Sequence, residues 1–129
     1  MGESTRRILL AEDDRFLRKA AEATLKRHGF SVVTATDGEE ALRLAQAELP
    51  DLILLDLIMP KIQGFEVLRT LKANPPTAAI PVIIISNLGQ AHDVQQALEA
   101  GAAAYLVKAN LSLQDLVKQV EAALKGGSV

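Results

Sequence analysis

Five short apolar runs recur along the chain, and amphipathic segments separate them. The runs occupy residues 8–11, 32–35, 52–55, 82–85 and 103–107. This alternation predicts a succession of β-strands and α-helices. The third and fourth runs are continuously apolar, as expected for central strands of a parallel sheet that helices cover on both faces. The pattern therefore predicts an α/β fold with a buried parallel sheet.

Capping residues indicate where the helices begin and end. Gly29 lies where a left-handed C-cap belongs, so we expect the first helix to end near His28. Asp37 and Ser112 each precede an acidic residue by three positions, which predicts capping boxes at the starts of the second and fifth helices. The Asn-Pro-Pro run at residues 74–76 ends the third helix. The fourth helix is expected over residues 91–100.

The connections between strands constrain the topology. Right-handed crossovers between parallel strands give a doubly wound sheet. We take five strands in the order 2-1-3-4-5, a common doubly wound arrangement, as the leading prediction. No internal repeat or interdomain linker is visible. We therefore expect one domain over residues 6–125, with a flexible N-terminus over residues 1–5 and a flexible tail over residues 126–129.

Composition excludes several classes of protein. Of the 129 residues, 49% are hydrophobic and 23% are charged, which is in the range of globular domains. The absence of cysteine excludes a disulfide framework and thiolate metal sites, and it favours a cytoplasmic location. No apolar run is long enough to span a bilayer, so we expect no membrane association. The formal net charge of −2 and the few aromatic residues argue against direct nucleic-acid binding.

Polar residues follow four of the predicted strands. They are Glu12 and Asp13 after the first strand, Asp56 after the third, Ser86 after the fourth and Lys108 after the fifth. In open α/β sheets, ligands bind beyond the carboxyl ends of the strands, where the strand order reverses. Clustered carboxylates repel one another unless a cation neutralises them, and oxygen ligands favour Mg²⁺ or Mn²⁺. The sequence therefore predicts one site that holds a divalent metal.

This combination of groups suits phosphoryl transfer, which needs an oxygen nucleophile and positive charge around the phosphoryl oxygens. Asp56 is the best nucleophile because it lies on the central strand, and an aspartyl phosphate is a known covalent intermediate. Glu12 and Asp13 would then carry the metal. A simpler alternative makes Glu12, Asp13 and Asp14 helix N-terminal acids that the macrodipole favours. We assign Asp14 to a helix cap and leave it out of the site.

Four segments resemble the signatures of two-component response-regulator receiver domains, and they are similar to the single-domain chemotaxis type. They are Ile-Leu-Leu-Ala-Glu-Asp-Asp at residues 8–14, Asp-Leu-Ile-Met-Pro at 56–60 with Gly64, Pro-Val-Ile-Ile-Ile-Ser at 81–86, and Tyr-Leu-Val-Lys at 105–108. Each segment is weak alone, but four in the right order and strand context make a strong match. The resemblance implies a flavodoxin-like receiver fold and a phosphorylation-dependent signalling switch in a phosphorelay.

The resemblance also implies a chemical role for each acidic residue. Asp56 would accept a phosphoryl group from a sensor histidine kinase or a phosphotransfer protein. Asp13, Asp56 and the carbonyl of Ile58 would hold Mg²⁺, and Glu12 would act through a water on the metal. The chain would catalyse its own phosphorylation and slow dephosphorylation without being a turnover enzyme.

The remaining implied roles concern the switch and its readout. The Ser86 hydroxyl and the Lys108 ammonium would bond the phosphoryl oxygens, and Tyr105 would turn inward when Ser86 moves toward them. The readout surface would be the face formed by the fourth helix, the fifth strand and the fifth helix. A downstream effector protein or domain would bind there, and the same face would serve a homodimer.

Other classes of protein fit the sequence less well. A metal-dependent aspartate phosphatase typically has a second acid two residues after its nucleophile, where this chain has Ile58. No glycine-rich phosphate loop follows the first strand, which argues against a nucleotide-binding protein. A phosphorylation-independent interaction module stays open as the alternative. Arg15, Arg18 and Lys19 are expected mainly to solvate the first helix, although they flank the acidic residues and could help to receive a kinase.

Two positions depart from the family pattern. Asn87 stands where a small residue such as alanine is usual, and it would either narrow the access to Asp56 or hydrogen-bond the phosphoryl group. Phosphate lifetime and donor choice therefore stay open. Ala109 follows Lys108 where proline is usual. Because a cis bond before a non-proline residue costs about 2.5 to 4 kcal/mol, we predict a trans peptide bond between Lys108 and Ala109.

Overall fold

The structure is a computed structural model that describes residues 5–125. The strands are β1 (Arg7–Ala11), β2 (Ser31–Ala35), β3 (Leu52–Asp56), β4 (Val82–Ser86) and β5 (Ala104–Val107). The main helices are α1 (Arg15–Arg27), α2 (Gly38–Glu48), α3 (Gly64–Ala73), α4 (Ala91–Glu99) and α5 (Leu113–Leu124). Within the described part of the chain, no helix combines the length and the apolarity that a membrane crossing requires. Of the two segments predicted to be flexible, residues 1–4 and 126–129 lie outside the described residues.

The five strands form one parallel sheet in the order β2-β1-β3-β4-β5. Every residue of β3 and β4 is buried, as their continuous apolar sequences predicted. The doubly wound α/β fold and its strand order are therefore confirmed. After β1 the chain forms β2 on one side of β1, and it then crosses over to form β3 on the other side of β1. A crevice consequently opens at the carboxyl ends of β1 and β3.

The core consists of two layers, one on each face of the sheet. Successive side chains of a strand point to opposite faces, so Leu9 and Ile53 contribute to one layer while Ile8 and Leu52 contribute to the other. Helices α2, α3 and α4 cover the first layer, and α1 and α5 cover the second. This packing on both faces fixes the sheet edge where the polar residues gather.

The boundaries of α1 agree with the prediction. Asp14 is the N-cap, and its Oδ1 accepts a hydrogen bond of 3.1 Å from the N–H of Leu17. The helix ends at Arg27 with His28 as its C-cap. Gly29 then has a φ of 92°, in the left-handed region that favours glycine. The assignment of Asp14 to a cap rather than to the site is therefore consistent with its hydrogen bonding.

One of the two predicted capping boxes is only half formed. Ser112 and Asp115 make the reciprocal pair of hydrogen bonds at the start of α5, as predicted. At α2, Asp37 accepts a hydrogen bond of 2.8 Å from the N–H of Glu40, but the Glu40 carboxylate accepts the N–H of Thr36 at 2.8 Å. The Thr36 hydroxyl also lies 3.3 Å from the same carboxylate oxygen. Glu40 therefore reaches one residue beyond the N-cap, and the prediction of a full box there is wrong.

The Asn-Pro-Pro run ends α3 at Ala73, as predicted, but it also begins a further helical turn, Pro75–Ala78. Proline suits the first position of a helix because the N–H that it lacks would have no partner there. The Thr77 hydroxyl donates a hydrogen bond of 2.7 Å to the carbonyl of Leu71, which fastens this turn to α3. This turn lies outside the five helices that the sequence predicts.

Candidate functional site

The predicted site residues lie together at the carboxyl edge of the sheet. Asp56 and Ser86 are the last residues of β3 and β4, Glu12 follows β1 directly, and Lys108 follows β5 directly. Because parallel strands end at the same edge, residues that are far apart in sequence meet here. The structure thus brings together all four strand-end positions that the sequence singled out.

Three carboxylates form the acidic part of this site. Glu12, Asp13 and Asp56 each offer an oxygen, and these oxygens all lie within 4.8 Å of one another. Glu12 is fully buried, Asp56 is 2% exposed and Asp13 is exposed. Among the described residues, the buried Glu12 Oε1 has the Lys108 ammonium at 2.9 Å as its charge partner but accepts no well-directed hydrogen bond. Carboxylate oxygens in such a cluster are the ligands that Mg²⁺ and Mn²⁺ prefer, so these residues fit a divalent cation.

Lys108 is the internal counterion of this cluster. Its Nζ lies 2.9 Å from Glu12 Oε1 and 2.9 Å from Asp56 Oδ2, and the contact with Asp56 is a directed hydrogen bond. Burial disfavours the charged lysine, but its hydrogen bonds and charge attraction to the two carboxylates outweigh burial, so the pKa of Lys108 is raised. The peptide bond between Lys108 and Ala109 is trans, as predicted.

Burial also changes the ionisation of Glu12. It raises the pKa of this carboxyl group from 4.5 to about 7. The N–H of Asp14, which donates a hydrogen bond of 2.9 Å to Glu12 Oε2, and the Lys108 ammonium both act in the opposite direction without cancelling it. From the sequence we expected repulsion among the clustered carboxylates to govern this site. Repulsion from Asp56 does contribute, but it is a smaller cause than burial.

A cleft of about 400 Å³ opens over Asp56. Its lining consists of Asp13, Asp14, Asp56, Ile58, Asn87 and Lys108. Ile58 also donates its N–H to Asp56 Oδ1 at 3.1 Å. Glu12 and Ser86 are fully buried and do not line this cleft. A cleft of about 470 Å³ at the amino end of β4 and β5 has no titratable side chain in its lining, so we assign the chemistry to the cleft over Asp56.

Two side chains hold the loop after β4, and both bind the backbone of Leu88. Ser86 Oγ accepts a hydrogen bond of 3.0 Å from the N–H of Leu88, and the Tyr105 hydroxyl donates a hydrogen bond to the carbonyl of Leu88. Burial raises the pKa of Tyr105, and the charges of Asp93 and Asp56 act in the same direction, while the Ser86 hydroxyl opposes them. Ser86 and Tyr105 are therefore joined through the backbone of a single residue.

Arg18 has a role that the sequence analysis missed. Its Nη1 donates hydrogen bonds to the backbone carbonyls of Glu12 at 3.1 Å and Asp13 at 3.3 Å. The expectation that Arg18 mainly solvates α1 is therefore wrong, because it holds the backbone that carries both acidic side chains. Arg18 lies four residues after the Asp14 cap, where a helical side chain lies beside the loop that precedes the helix. This spacing could have indicated its contact with the loop.

Two glycines allow the loop between β3 and α3 to approach its neighbours closely. The N–H of Gly64 donates to the carbonyl of Leu57 at 2.9 Å, and a Cβ on Gly64 would lie 2.4 Å from Leu57 Cα. The N–H of Gly38 donates to the carbonyl of Pro60 at 3.1 Å, and a Cβ there would lie 2.0 Å from the carbonyl oxygen of Ile62. These approaches leave no room for a side chain, so both glycines shape the loop that follows Asp56.

Comparison with known proteins gives the class of this chain. Residues 8–121 match the response regulator receiver domain family. The chain is 36% identical over 120 residues to protein PilH of Pseudomonas aeruginosa, and the match covers 93% of this chain and 98% of that protein. It is 44% identical over 115 residues to the gliding motility regulatory protein of Myxococcus xanthus, a match that covers 89% of this chain and 15% of that protein.

Solved structures agree with this result. A putative response regulator from Chloroflexus aurantiacus has a TM-score of 0.88 and 30% identity, covering 95% of this chain and 99% of that one. A CheY-like receiver domain protein from Methanospirillum hungatei has a TM-score of 0.87 and 26% identity, with 95% of each chain covered. The chain belongs to the response regulator receiver domain family, as its sequence signatures predicted. It is thus a signalling domain of a two-component system.

The chain covers very different shares of its relatives. It spans 15%, 47%, 44% and 22% of the length of four curated relatives, against 98% of PilH. Receiver domains bind Mg²⁺ at an acidic pocket and interact with histidine kinases or phosphotransfer proteins and with effectors.

Proposed function

We propose that this chain is a phosphorylation-dependent switch in which Asp56 accepts a phosphoryl group from a sensor histidine kinase or phosphotransfer protein. The observation that carries this proposal is the surroundings of Asp56. Its carboxylate shares a cluster within 4.8 Å with Glu12 and Asp13, and Lys108 Nζ lies 2.9 Å away. A nucleophile, metal-ligating oxygens and a cation thus converge at one cleft. We also propose that residues 6–125 form the receiver domain.

The transfer itself needs one bond to form and one to break. An Asp56 oxygen bonds to phosphorus while the bond from phosphorus to the donor nitrogen breaks, and the donor leaves with the electron pair. Lys108, already beside Asp56 Oδ2, neutralises charge on the phosphoryl oxygens. Glu12, Asp13, Asp56 and the carbonyl of Ile58 would hold Mg²⁺ or Mn²⁺. When bound, this ion supplies further positive charge to the phosphoryl oxygens.

The switch would run from the phosphoryl group to Tyr105. The Ser86 oxygen accepts the N–H of Leu88, which leaves the hydroxyl proton of Ser86 available for a phosphoryl oxygen. A movement of Ser86 toward the phosphoryl group would pull on Leu88, whose carbonyl holds the Tyr105 hydroxyl. Phosphorylation would then favour one packing of the loop over the other.

The face formed by α4, β5 and α5 would read out this change. The loop after β4 leads into α4, and Tyr105 belongs to β5, so a movement at Leu88 reaches both elements. A downstream effector would bind this face, and the same surface would serve a homodimer. The cytoplasmic location and the absence of direct nucleic-acid binding stay predictions from composition.

The lining of the cleft favours a slow switch over a turnover enzyme. Asp13 and Asp56 belong to the acidic cluster that would hold the metal, and Asp14 is engaged as the N-cap of α1. Lys108 is held by two carboxylates, and its hydrogen bonds and charge attraction to them outweigh burial and keep it protonated. The engagement of these groups argues against a general base for rapid hydrolysis. The phosphorylated form would therefore persist long enough to signal.

The test is phosphorylation by acetyl phosphate with magnesium, followed by intact-protein mass spectrometry. We expect one acid-labile phosphoryl group on the parent protein and none on Asp56→Asn. Asp115→Asn, on the exposed start of α5, serves as the matched control and should label like the parent. Equal labelling of Asp56→Asn would overturn the assignment of the nucleophile. A parent that stays unlabelled with both acetyl phosphate and a matched kinase would instead support a phosphorylation-independent interaction module.

A further inference from the structure

The direction from which water reaches phosphorylated Asp56 follows from the geometry of the cleft. Hydrolysis at phosphorus requires the attacking oxygen to approach in line, opposite the Asp56 oxygen that leaves. Asp56 is only 2% exposed, and the space over it is the cleft of about 400 Å³ described above. The attacking water must therefore cross this cleft. The side chains that line it are the groups that the water meets.

Most of these lining groups are unsuited to orient a neutral water. Asp13 belongs to the acidic cluster and Asp14 Oδ1 accepts the N–H of Leu17, and the negative charge of both carboxylates repels the phosphoryl oxygens. The Lys108 ammonium is held by two carboxylates and has no acceptor to offer. Ile58 is 59% exposed, but its side chain is apolar and cannot hydrogen-bond to water. Beside these residues, the lining contains one neutral polar side chain.

That group is the carboxamide of Asn87. It is exposed, and among residues 5–125 it has no hydrogen-bond partner. A carboxamide has an oxygen that accepts a hydrogen bond from water and an NH₂ group that donates to a phosphoryl oxygen. Its backbone is held in position, because the N–H of Leu88 donates a hydrogen bond of 3.0 Å to Ser86 Oγ and so closes a turn around Asn87. An amide does not take up a proton at neutral pH, so it can orient a water without acting as a base.

We propose that Asn87 is a positioning residue that shortens the lifetime of phosphorylated Asp56 by orienting the hydrolytic water. The water oxygen bonds to phosphorus, the bond from phosphorus to the Asp56 oxygen breaks, and Asp56 recovers its carboxylate. Inorganic phosphate leaves, and the surplus proton passes to solvent. The inference rests on the proposed function, since it requires phosphorylation of Asp56, and it adds the residue that regulates the persistence of the signal.

The experiment measures the decay of the phosphorylated protein. The parent and Asn87→Ala are phosphorylated with acetyl phosphate and magnesium, the donor is removed by desalting, and the loss of the phosphoryl mass is followed. We expect Asn87→Ala to decay about three- to tenfold more slowly, the factor that one orienting hydrogen bond provides. Asn110→Ala, at an exposed asparagine outside the cleft lining, is the matched control and should decay like the parent.

Two further measurements separate positioning from a general structural effect. Asn87→Gln keeps both the accepting oxygen and the donating NH₂ group and should decay faster than Asn87→Ala. Hydroxylamine attacks the acyl carbon of Asp56 instead of phosphorus, so its reaction with the phosphorylated protein should proceed at the same rate in Asn87→Ala and the parent. A slowing of both reactions by the same factor would indicate altered access and overturn the positioning role.

The outcomes distinguish this inference from the proposed function. If the parent and Asn87→Ala both label at Asp56 and decay at equal rates, only the inference on Asn87 is wrong. Faster decay of Asn87→Ala would overturn it as well, because the carboxamide would then shield the phosphoryl group. A parent that no donor labels would overturn the proposed function together with the inference.

Discussion

Lys108 Nζ donates a hydrogen bond of 2.9 Å to Asp56 Oδ2, although the two residues are 52 positions apart in the sequence. The same ammonium lies 2.9 Å from Glu12 Oε1, and the lysine side chain is only 16% exposed. Two buried carboxylates thus share one internal cation. Removal of one partner from a buried ion pair is strongly destabilising because it leaves an uncompensated charge.

The first prediction concerns the loss of this cation. Lys108→Met should lower the free energy of unfolding of the metal-free protein by about 3 kcal/mol at pH 8, measured by urea denaturation. The loss should be smaller at pH 5, where Glu12 holds a proton and needs no counterion. Lys118→Met, at an exposed lysine of α5, is the control and should change stability little. Equal stabilities of the two variants would contradict the role of Lys108 as counterion.

The second prediction is a pH dependence that comes from Glu12. Its pKa is raised to about 7 in the folded protein from 4.5, so between these values the folded state binds more protons than the unfolded state. The stabilising contribution is therefore complete below pH 4.5 and is lost as the pH rises through 7. One pKa unit corresponds to about 1.4 kcal/mol, so the loss in free energy of unfolding is at most about 3 kcal/mol. Water in the neighbouring cleft would lower this value by screening the charge of Glu12.

Glu12→Gln isolates this contribution, since glutamine resembles the protonated carboxyl group at every pH. Relative to the parent, the metal-free variant should gain stability as the pH rises from 4.5 to 8, as measured by urea denaturation in a chelating buffer. A difference in stability that stays constant across this range would show that the carboxyl group of Glu12 has its ordinary pKa in the folded protein.

The comparison of sequence and structure shows why the members of this site could be predicted while their interactions could not. Strand-end polar residues at a topological switch point identify Glu12, Asp56, Ser86 and Lys108, because the parallel topology alone brings them to one edge. Whether Lys108 turns toward carboxylates or solvent depends on side-chain packing that no local pattern specifies. The burial of Glu12, which is the main cause of its raised pKa, likewise depends on neighbours from other strands.

The helix boundaries show the same division between local and tertiary determinants. The cap at Asp14 involves residues within one turn, and the sequence was sufficient to predict it. The hydrogen bonds from Arg18 to the loop after β1 and the reach of Glu40 past its N-cap to Thr36 depend on the paths of the preceding loops. Those paths follow from how each helix packs on the sheet, which residue spacing does not reveal.

The third prediction tests the metal through Asp13. Asp13→Asn removes a negative charge from the cluster, so it should raise the melting temperature of the metal-free protein and reduce the stabilisation that magnesium provides. Thermal unfolding with a chelator and with magnesium measures both effects. Asp14→Asn is the control, because asparagine caps a helix as well as aspartate does. A lower melting temperature of metal-free Asp13→Asn would favour a role at the helix N-terminus over an acidic metal site.

The fourth prediction uses Tyr105 as an internal probe. The chain contains one tyrosine and no tryptophan, so its tyrosine absorbance and fluorescence report on this residue alone. Burial and nearby negative charge raise the pKa of Tyr105, because both disfavour the phenolate. Titration of the unphosphorylated protein by ultraviolet absorbance should therefore give a midpoint above the ordinary tyrosine value of 10.0. A midpoint at or below that value would contradict the hydrogen-bonded position of the phenol against Leu88.

Phosphorylation should then make the same tyrosine less accessible. If Ser86 moves toward the phosphoryl group, Leu88 moves with it and the phenol leaves its present partner for a more buried position. Acrylamide quenching of tyrosine fluorescence at neutral pH should consequently decrease when acetyl phosphate and magnesium are added to the parent. Asp56→Asn given the same reagents controls for direct effects of donor and metal, and its quenching should stay constant. Unchanged or stronger quenching of a parent that is fully phosphorylated by mass spectrometry would mean that Tyr105 does not move inward, and the coupling through Leu88 would have to be abandoned.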